Sequence, residues 1–323
     1  MIKVNFYRKV SLFLVLVCGF VCSLCHALPN GEYVPLEVVA KEHLLRMPIN
    51  RPDRVVLRGN NVELSFRSGS LAFHANGVLM PLGFFTETKY GKLCVSYRDY
   101  VAHLRPFLIM QLRSSAKRAV IVLDPGHGGR AEGALSATGL NEKAVTLDIC
   151  QRLARILERQ GHTVYLTRNS DMYVELEDRT KFANQKSPTL FVSVHCNAAK
   201  SKSARGVETF ALTPYGQPSQ HQVKSSQSDL KPCAGNKFDM ENLILAYAIQ
   251  GAVLRKIGCI DRGVKHARFH VFRGLNCPGI LAELEFLSHP TEAKKLASSN
   301  HRQDLAQGLA DGITSFLKCH ITN

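Results

Sequence analysis

The sequence predicts an α/β fold, a mostly parallel sheet flanked by helices, preceded by a small β-rich N-terminal domain. Three observations carry this. Beyond residue 118, short apolar runs alternate with segments of helical periodicity, as successive strand-helix units require. Before it, short alternating runs are broken by Gly-Asn, Ser-Gly and Asn-Gly turns, which favours antiparallel strands. Finally, His127, His195 and Glu283 each sit at or just past the C-terminal end of an apolar run, where open α/β sheets place their sites.

Lys3, Arg8 and Lys9 precede an apolar run from Val10 to Leu24, and Ala27 offers a small residue for cleavage. This reads as an export signal over 1–27, too short for a comfortable membrane span. The protein is therefore expected in the periplasm or cell envelope. An uncleaved start, or one lipidated at Cys18, Cys22 or Cys25, would leave it on a membrane.

The β-rich module occupies 28–113. A strand running into an amphipathic helical segment opens it at Gly31 and recurs loosely from Gly91. Strands are expected between them at Arg54–Arg58, Val62–Arg67, Ser70–Ala75 and Gly77–Leu82. His43, His74 and His103 are too scattered to form a metal site. A polar joint, 114–118, leads into an α/β domain over 119–319. Its strands are Ala119–Leu123, Thr163–Leu166, Leu190–His195, Gly206–Leu212 and Gly279–Leu284, and its helices are 143–160, 175–184, 241–257 and 303–317. The polar, non-periodic segment 213–239 reads as a surface loop.

The 323 residues carry a net charge of +15, which calls for an anionic partner or serves solubility alone. The basic residues are dispersed and form no aromatic-basic stripe, so nucleic acid is not indicated. An acidic extracytoplasmic polymer or membrane surface suits the charge better. Seven cysteines follow the export signal, with no CxxC spacing, so no obligatory disulfide framework is predicted.

Chemistry concentrates in four stretches. Asp124-Pro125-Gly126-His127-Gly128-Gly129 places a histidine in a loop whose glycines permit unusual backbone angles. Glu142 opens a helix, His195 ends a strand, and Glu283 lies inside Gly-Ile-Leu-Ala-Glu-Leu-Glu-Phe-Leu, where a carboxylate is costly unless paired, protonated or used. Two imidazoles and a carboxylate around zinc leave a coordination position for water, and a separate carboxylate can move its proton. Any one of these residues alone has an ordinary structural reading.

Together they resemble the zinc-dependent N-acetylmuramoyl-L-alanine amidases, cell-wall hydrolases with a phosphorylase/hydrolase-like fold. The resemblance runs from about Ala119 to Leu317 and includes Leu166-Thr167-Arg168, 204–209 and 261–265. It implies zinc held by His127, Glu142 and His195, with Glu283 as the catalytic carboxylate. Asn197, Glu208 and Arg262 fall in the family's motifs and are assigned a site-shaping, substrate-binding role. Peptidoglycan or a muropeptide is the implied substrate. The N-terminal module is similar to the domains named after the copper amine oxidase N-terminus, without implying copper. Between Thr213 and Lys237 there is no amphipathic helix fit to cover the zinc, so an activator protein is not indicated.

The chain departs from the family at Ala131-Glu132, where Asp-Pro is usual, at Cys196, and at Glu285, which replaces a usual glycine. Cys196 should face away from the site, since neighbours on a strand point oppositely. Glu285 either crowds Glu283 or, the preferred reading, twists into solvent. Two other activities fit parts of the sequence. One is a zinc peptidase acting within the stem peptide. The other is a serine acyl-enzyme of the penicillin-binding type at Ser114 and Lys117, whose S-x-x-K pattern also occurs at Ser228 and Ser315.

Overall fold

The computed structural model describes residues 32–112, 118–220 and 231–321. The segment expected to be an export signal and the Ser114/Lys117 pair lie outside the described residues. Among those described, no helix is long and apolar enough to cross a membrane.

The N-terminal region begins with β1 (Tyr33–Pro35) and α1 (Leu36–Glu42). A meander follows: β2 (Arg46–Arg51), β3 (Arg54–Arg58), β4 (Glu63–Arg67), β5 (Ala72–Ala75) and β6 (Val78–Pro81), all antiparallel. Next come β7 (Glu87–Lys89) and β8 (Lys92–Ser96). The two strand-helix repeats meet in space, because β1 pairs with β8. After β8 a helical run over 97–109, α2, leads into β9 (Met110–Leu112). Strands β2 and β7 were not expected. Both carry few buried side chains, so alternation could not reveal them.

The second region contains β10 (Val120–Pro125), α3 (Glu142–Arg159), β11 (Thr163–Leu166), α4 (Leu176–Gln185), β12 (Leu190–Asn197) and β13 (Val207–Leu212). It continues with α5 (Asp239–Ile257), β14 (Asp261–Ala267), the short α6 (His270–Arg273), β15 (Gly279–Phe286), α7 (Pro290–Ala297), α8 (Ser299–Lys318) and β16 (Cys319–Ile321). The main sheet has the order β11-β10-β12-β15-β13-β14. Every ladder is parallel except β13 against β15. Helix α3 forms because Asn141 caps it, its side chain accepting from the Lys143 N–H at 3.0 Å. Val145, Ile149, Leu153 and Leu157 then recur on one face and are buried.

The two regions share one hydrophobic cluster, running from Leu36 and Phe66 to Ile249 and Ile313. Phe107 of α2 meets Tyr247 of α5 edge-on, with centroids 4.9 Å apart. The Leu79 N–H donates to Asp261 at 2.9 Å, and β9 pairs with β16 at the chain's end. Much of the expected surface loop is anchored here as well. Gln217 donates to the Arg98 carbonyl at 3.2 Å, Gln220 donates to that of Leu82, and Ala234–Phe238 forms a 3-10 turn. Side-chain amides, rather than apolar periodicity, hold that segment, which is why its sequence reads as loop. Residues 221–230 lie outside the described set.

Candidate active site

Strands β10, β12 and β15 are adjacent and parallel, so their C-terminal ends open on one edge of the sheet. His127 sits just beyond β10. It adopts φ +62°, followed by Gly128 and Gly129, both also at positive φ. A non-glycine residue in that region costs on the order of 1 kcal/mol or more, so the surroundings must impose it. Two buried arginines do so. Arg179 of α4 donates to the carbonyls of Pro125 (2.8 Å) and His127 (2.7 Å), and also to Asp124 at 2.8 Å. Arg168 donates to the carbonyls of Pro125 (3.0 Å) and Gly126 (2.8 Å). Burial pushes the Asp124 carboxyl up, but Arg179 and the hydroxyls of Thr167 and Ser193 outweigh it and hold it below the usual range. Sequence reading missed Arg179: an arginine on a polar helix looks like surface until its carbonyl partners are seen.

Three donor sets converge. Glu142 Oε1 lies 3.1 Å from His127 Nε2 and 3.0 Å from His195 Nδ1, and the ligand atoms of all three residues fall within 4.8 Å of one another. Two backbone amides orient this carboxylate, Cys196 N–H at 3.1 Å and Ala134 N–H at 2.8 Å. Its pKa is well below that of a free glutamate. Burial opposes this, and the hydrogen bonds from the two imidazoles override it. Glycine is demanded beneath the cluster. A Cβ on Gly126 would lie 2.4 Å from the His195 ring, and one on Gly133 would lie 2.5 Å from the Glu142 carboxylate.

Glu283 is the in-register neighbour of His195 on β15. Its Oε2 is buried with no hydrogen-bond partner among the described residues. Burial pushes its pKa up to about 7, with the nearby Glu142 and Glu208 carboxylates adding to the rise and His195 opposing it. Two carboxylates this close to two imidazoles form a pocket that a cation would suit.

Glu208 stands opposite Glu283 on β13. It accepts from Arg262 Nε and Asn197 Nδ2, each at 2.7 Å, and from Lys265 Nζ. Thus Asn197, Glu208 and Arg262 form one network beside the carboxylate, with Lys265 as a member the sequence reading overlooked. Asn197 also lines the main cleft, of about 930 Å³, together with His127, His195 and Glu283. Tyr173, Leu176 and Phe269 give the cleft an apolar wall, and Arg268, His270 and Arg273 a basic end. The sequence reading assigned this wall and basic end to no site, because they come from a loop residue, the first residue of α4, and the short α6 with the two residues before it, none marked by a chemical motif.

Cys196 is buried in the main apolar cluster, and burial raises its thiol pKa well above the ordinary value. The expectation for Glu285 fails. It neither crowds Glu283 nor reaches solvent: it is fully buried at φ +62°, its Oε2 lying 2.6 Å from His301 Nε2. The β12–β15 register shifts between His195 and Asn197, so simple two-residue alternation breaks down there.

A parallel-centred α/β sheet thus presents a His-Glu-His group that could hold a metal ion, beside a glutamate whose buried Oε2 has no hydrogen-bond partner among the described residues, as in a hydrolase site. The chain belongs to the N-acetylmuramoyl-L-alanine amidase family, whose model matches residues 121–315. It is 33% identical over 64% of its length to the amidase AmiC of Neisseria meningitidis serogroup B, covering 55% of that protein. It is 34% identical over 61% of its length to AmiC of Escherichia coli O6:H1, covering 52% of that protein. The chain thus spans about half the length of these relatives. Among solved structures, an N-acetylmuramoyl-L-alanine amidase from Clostridium difficile 630 aligns with TM-score 0.51 at 30% identity, over 62% of this chain and 97% of that one. AmiC2 of Nostoc punctiforme aligns with TM-score 0.50 at 32% identity, over 61% and 96%.

Proposed function

We propose that this chain is an exported, zinc-dependent amidase that hydrolyses the amide between N-acetylmuramic acid and L-alanine in peptidoglycan. The observation that carries the reading is the convergence of His127, Glu142 and His195 beside an unpartnered Glu283. The donor set fits zinc: two imidazoles and a carboxylate, with ligand atoms all within 4.8 Å of one another, would hold the ion. When bound, zinc polarises the scissile carbonyl and lowers the pKa of water to about 7.

The chain's own residues supply the rest. Glu283 takes a proton from the attacking water and delivers it to the departing amine, a role suited to a carboxyl pushed up to about 7. Asn197, Arg262 and Lys265 hold the Glu208 carboxylate in place on the neighbouring strand, opposite Glu283. Arg268, His270 and Arg273 give the cleft a basic end for the free carboxylates of a stem peptide. The N-terminal module and its likeness to the copper amine oxidase N-terminal domains belong to the same reading, as an appended envelope domain.

Mass spectrometry of defined muropeptides incubated with zinc-loaded and chelated protein tests this. A stem peptide released with a free L-alanine amine, only in the presence of zinc, is the expected result. Cleavage within the stem peptide would replace the bond assigned here. Undiminished cleavage after chelation would remove the metal from the reaction.

A further inference from the structure

We infer that the outer face of the N-terminal sheet holds a second binding site, for a small oxyanion-bearing group gripped by Arg54 and Arg67. On β3 and β4 the residues Val55, Leu57, Leu64 and Phe66 face the core, so the alternating Arg54, Ser65 and Arg67 face away from it. Cross-strand register then sets three arginines in one row, Arg51 opposite Arg54 and Arg54 opposite Arg67. Like charges directly opposite each other destabilise a sheet. At the far end of the same strands the problem is solved within the chain, because Arg58 pairs with Glu63. Along the three-arginine row the only ion pair among the described residues is the exposed one between Arg51 and Asp53, at 3.4 Å. Arg54 and Arg67 have no carboxylate partner among the described residues.

Between them the sheet is concave. A cavity of about 300 Å³ is lined by Arg54, Arg67, Ser65, His74 and Leu79, and by Glu63, whose carboxylate Arg58 already holds. Two guanidinium forks and a hydroxyl suit a carboxylate or a phosphate, which can accept from both forks at once. A hollow of this size admits an amino-acid- or sugar-sized unit, whereas a flat bilayer cannot follow it. None of its lining residues lines the catalytic cleft, so this site stands independently of the amidase reading.

Calorimetric titration of the full chain at low salt tests the site with two probes, inorganic phosphate and the dipeptide alanyl-glutamate. Saturable binding is expected for at least one of them, and which one binds separates phosphate from carboxylate as the natural group. Arg54→Ala/Arg67→Ala should weaken that binding at least tenfold, while Lys202→Ala/Lys294→Ala, which removes the same charge elsewhere, should leave it within twofold. If the double alanine variant does not fold, Arg54→Lys/Arg67→Lys serves instead: it keeps the charge, loses the forks, and should also weaken binding. Equal weakening in the distant lysine variant, no saturable binding to either probe, or binding only to phosphatidylglycerol vesicles would overturn the inference.

Discussion

Gly126→Ala puts the His127-Glu142-His195 cluster under a defined steric load. The added Cβ would stand 2.4 Å from His195 Cε1 and 2.6 Å from both ring nitrogens, whereas ordinary contact begins at 3.4 Å. The ring must therefore retreat by about 1 Å. The backbone cannot yield in its place. The Gly126 N–H donates to the Val194 carbonyl at 2.9 Å, and its carbonyl accepts from Thr146 and Arg168 at 2.9 and 2.8 Å. A 1 Å retreat takes His195 Nδ1 off its position 3.0 Å from Glu142, where the shared ion would be held. Displacement of that order costs about 100-fold in rate, or about 2.7 kcal/mol of transition-state stabilisation. Zinc affinity should fall by a similar factor, because a ligand itself is displaced and not only its outer support. Competition with a chromogenic chelator measures the affinity, muropeptide turnover the rate, and a thermal melt confirms the fold. Wild-type zinc affinity in a folded Gly126→Ala protein would refute the reasoning, since the three residues would not then share an ion.

Glu283→Gln should reduce turnover by about 10²–10⁴-fold while leaving zinc stoichiometry unchanged, as measured by muropeptide cleavage and elemental analysis. Asp124→Asn should lower stability by about 3–5 kcal/mol at pH 7, because it leaves the buried Arg179 without its carboxylate. The Asp124 pKa is depressed on folding, so its contribution is present above the unfolded value of about 3.9 and is lost as pH falls through the folded value. Denaturation of the two proteins should therefore differ most near neutrality and converge in acid; a gap that widens on acidification would contradict this.

The legible parts of the sequence were those with a period or a chemical cost. Val120–Pro125, Leu190–Asn197 and Gly279–Phe286 are buried along nearly their whole length, and continuous apolar runs announced them. Glu283 was legible because a carboxylate inside an apolar strand is expensive to place there, whereas His127, Glu142 and His195 were legible only together with it, each having an ordinary structural reading alone. The grip of Arg168 and Arg179 on loop carbonyls was not legible, since a carbonyl has no sequence signature. Nor was the docking of the segment after Thr213, which is tied down by amides such as Gln217 and Gln220.

Glu285 joins the two kinds of legibility. The family resemblance leads one to expect a glycine there, and φ +62° supplies a reason: the backbone needs the left-handed region, which glycine enters freely and glutamate enters at a cost of about 1–2 kcal/mol. The side chain is kept by its partners, His301 Nε2 at 2.6 Å and Lys295 Nζ at 3.7 Å. His301→Ala should therefore destabilise the fold by several kcal/mol, because it strands a buried carboxylate. Glu285→Gly removes both the charge and the backbone cost. The double variant should accordingly recover part of the stability that His301→Ala loses, and a double-mutant cycle on thermal melts reads this directly. Strict additivity of the two changes would mean that the pair is not coupled and that another contact keeps Glu285 in the left-handed region.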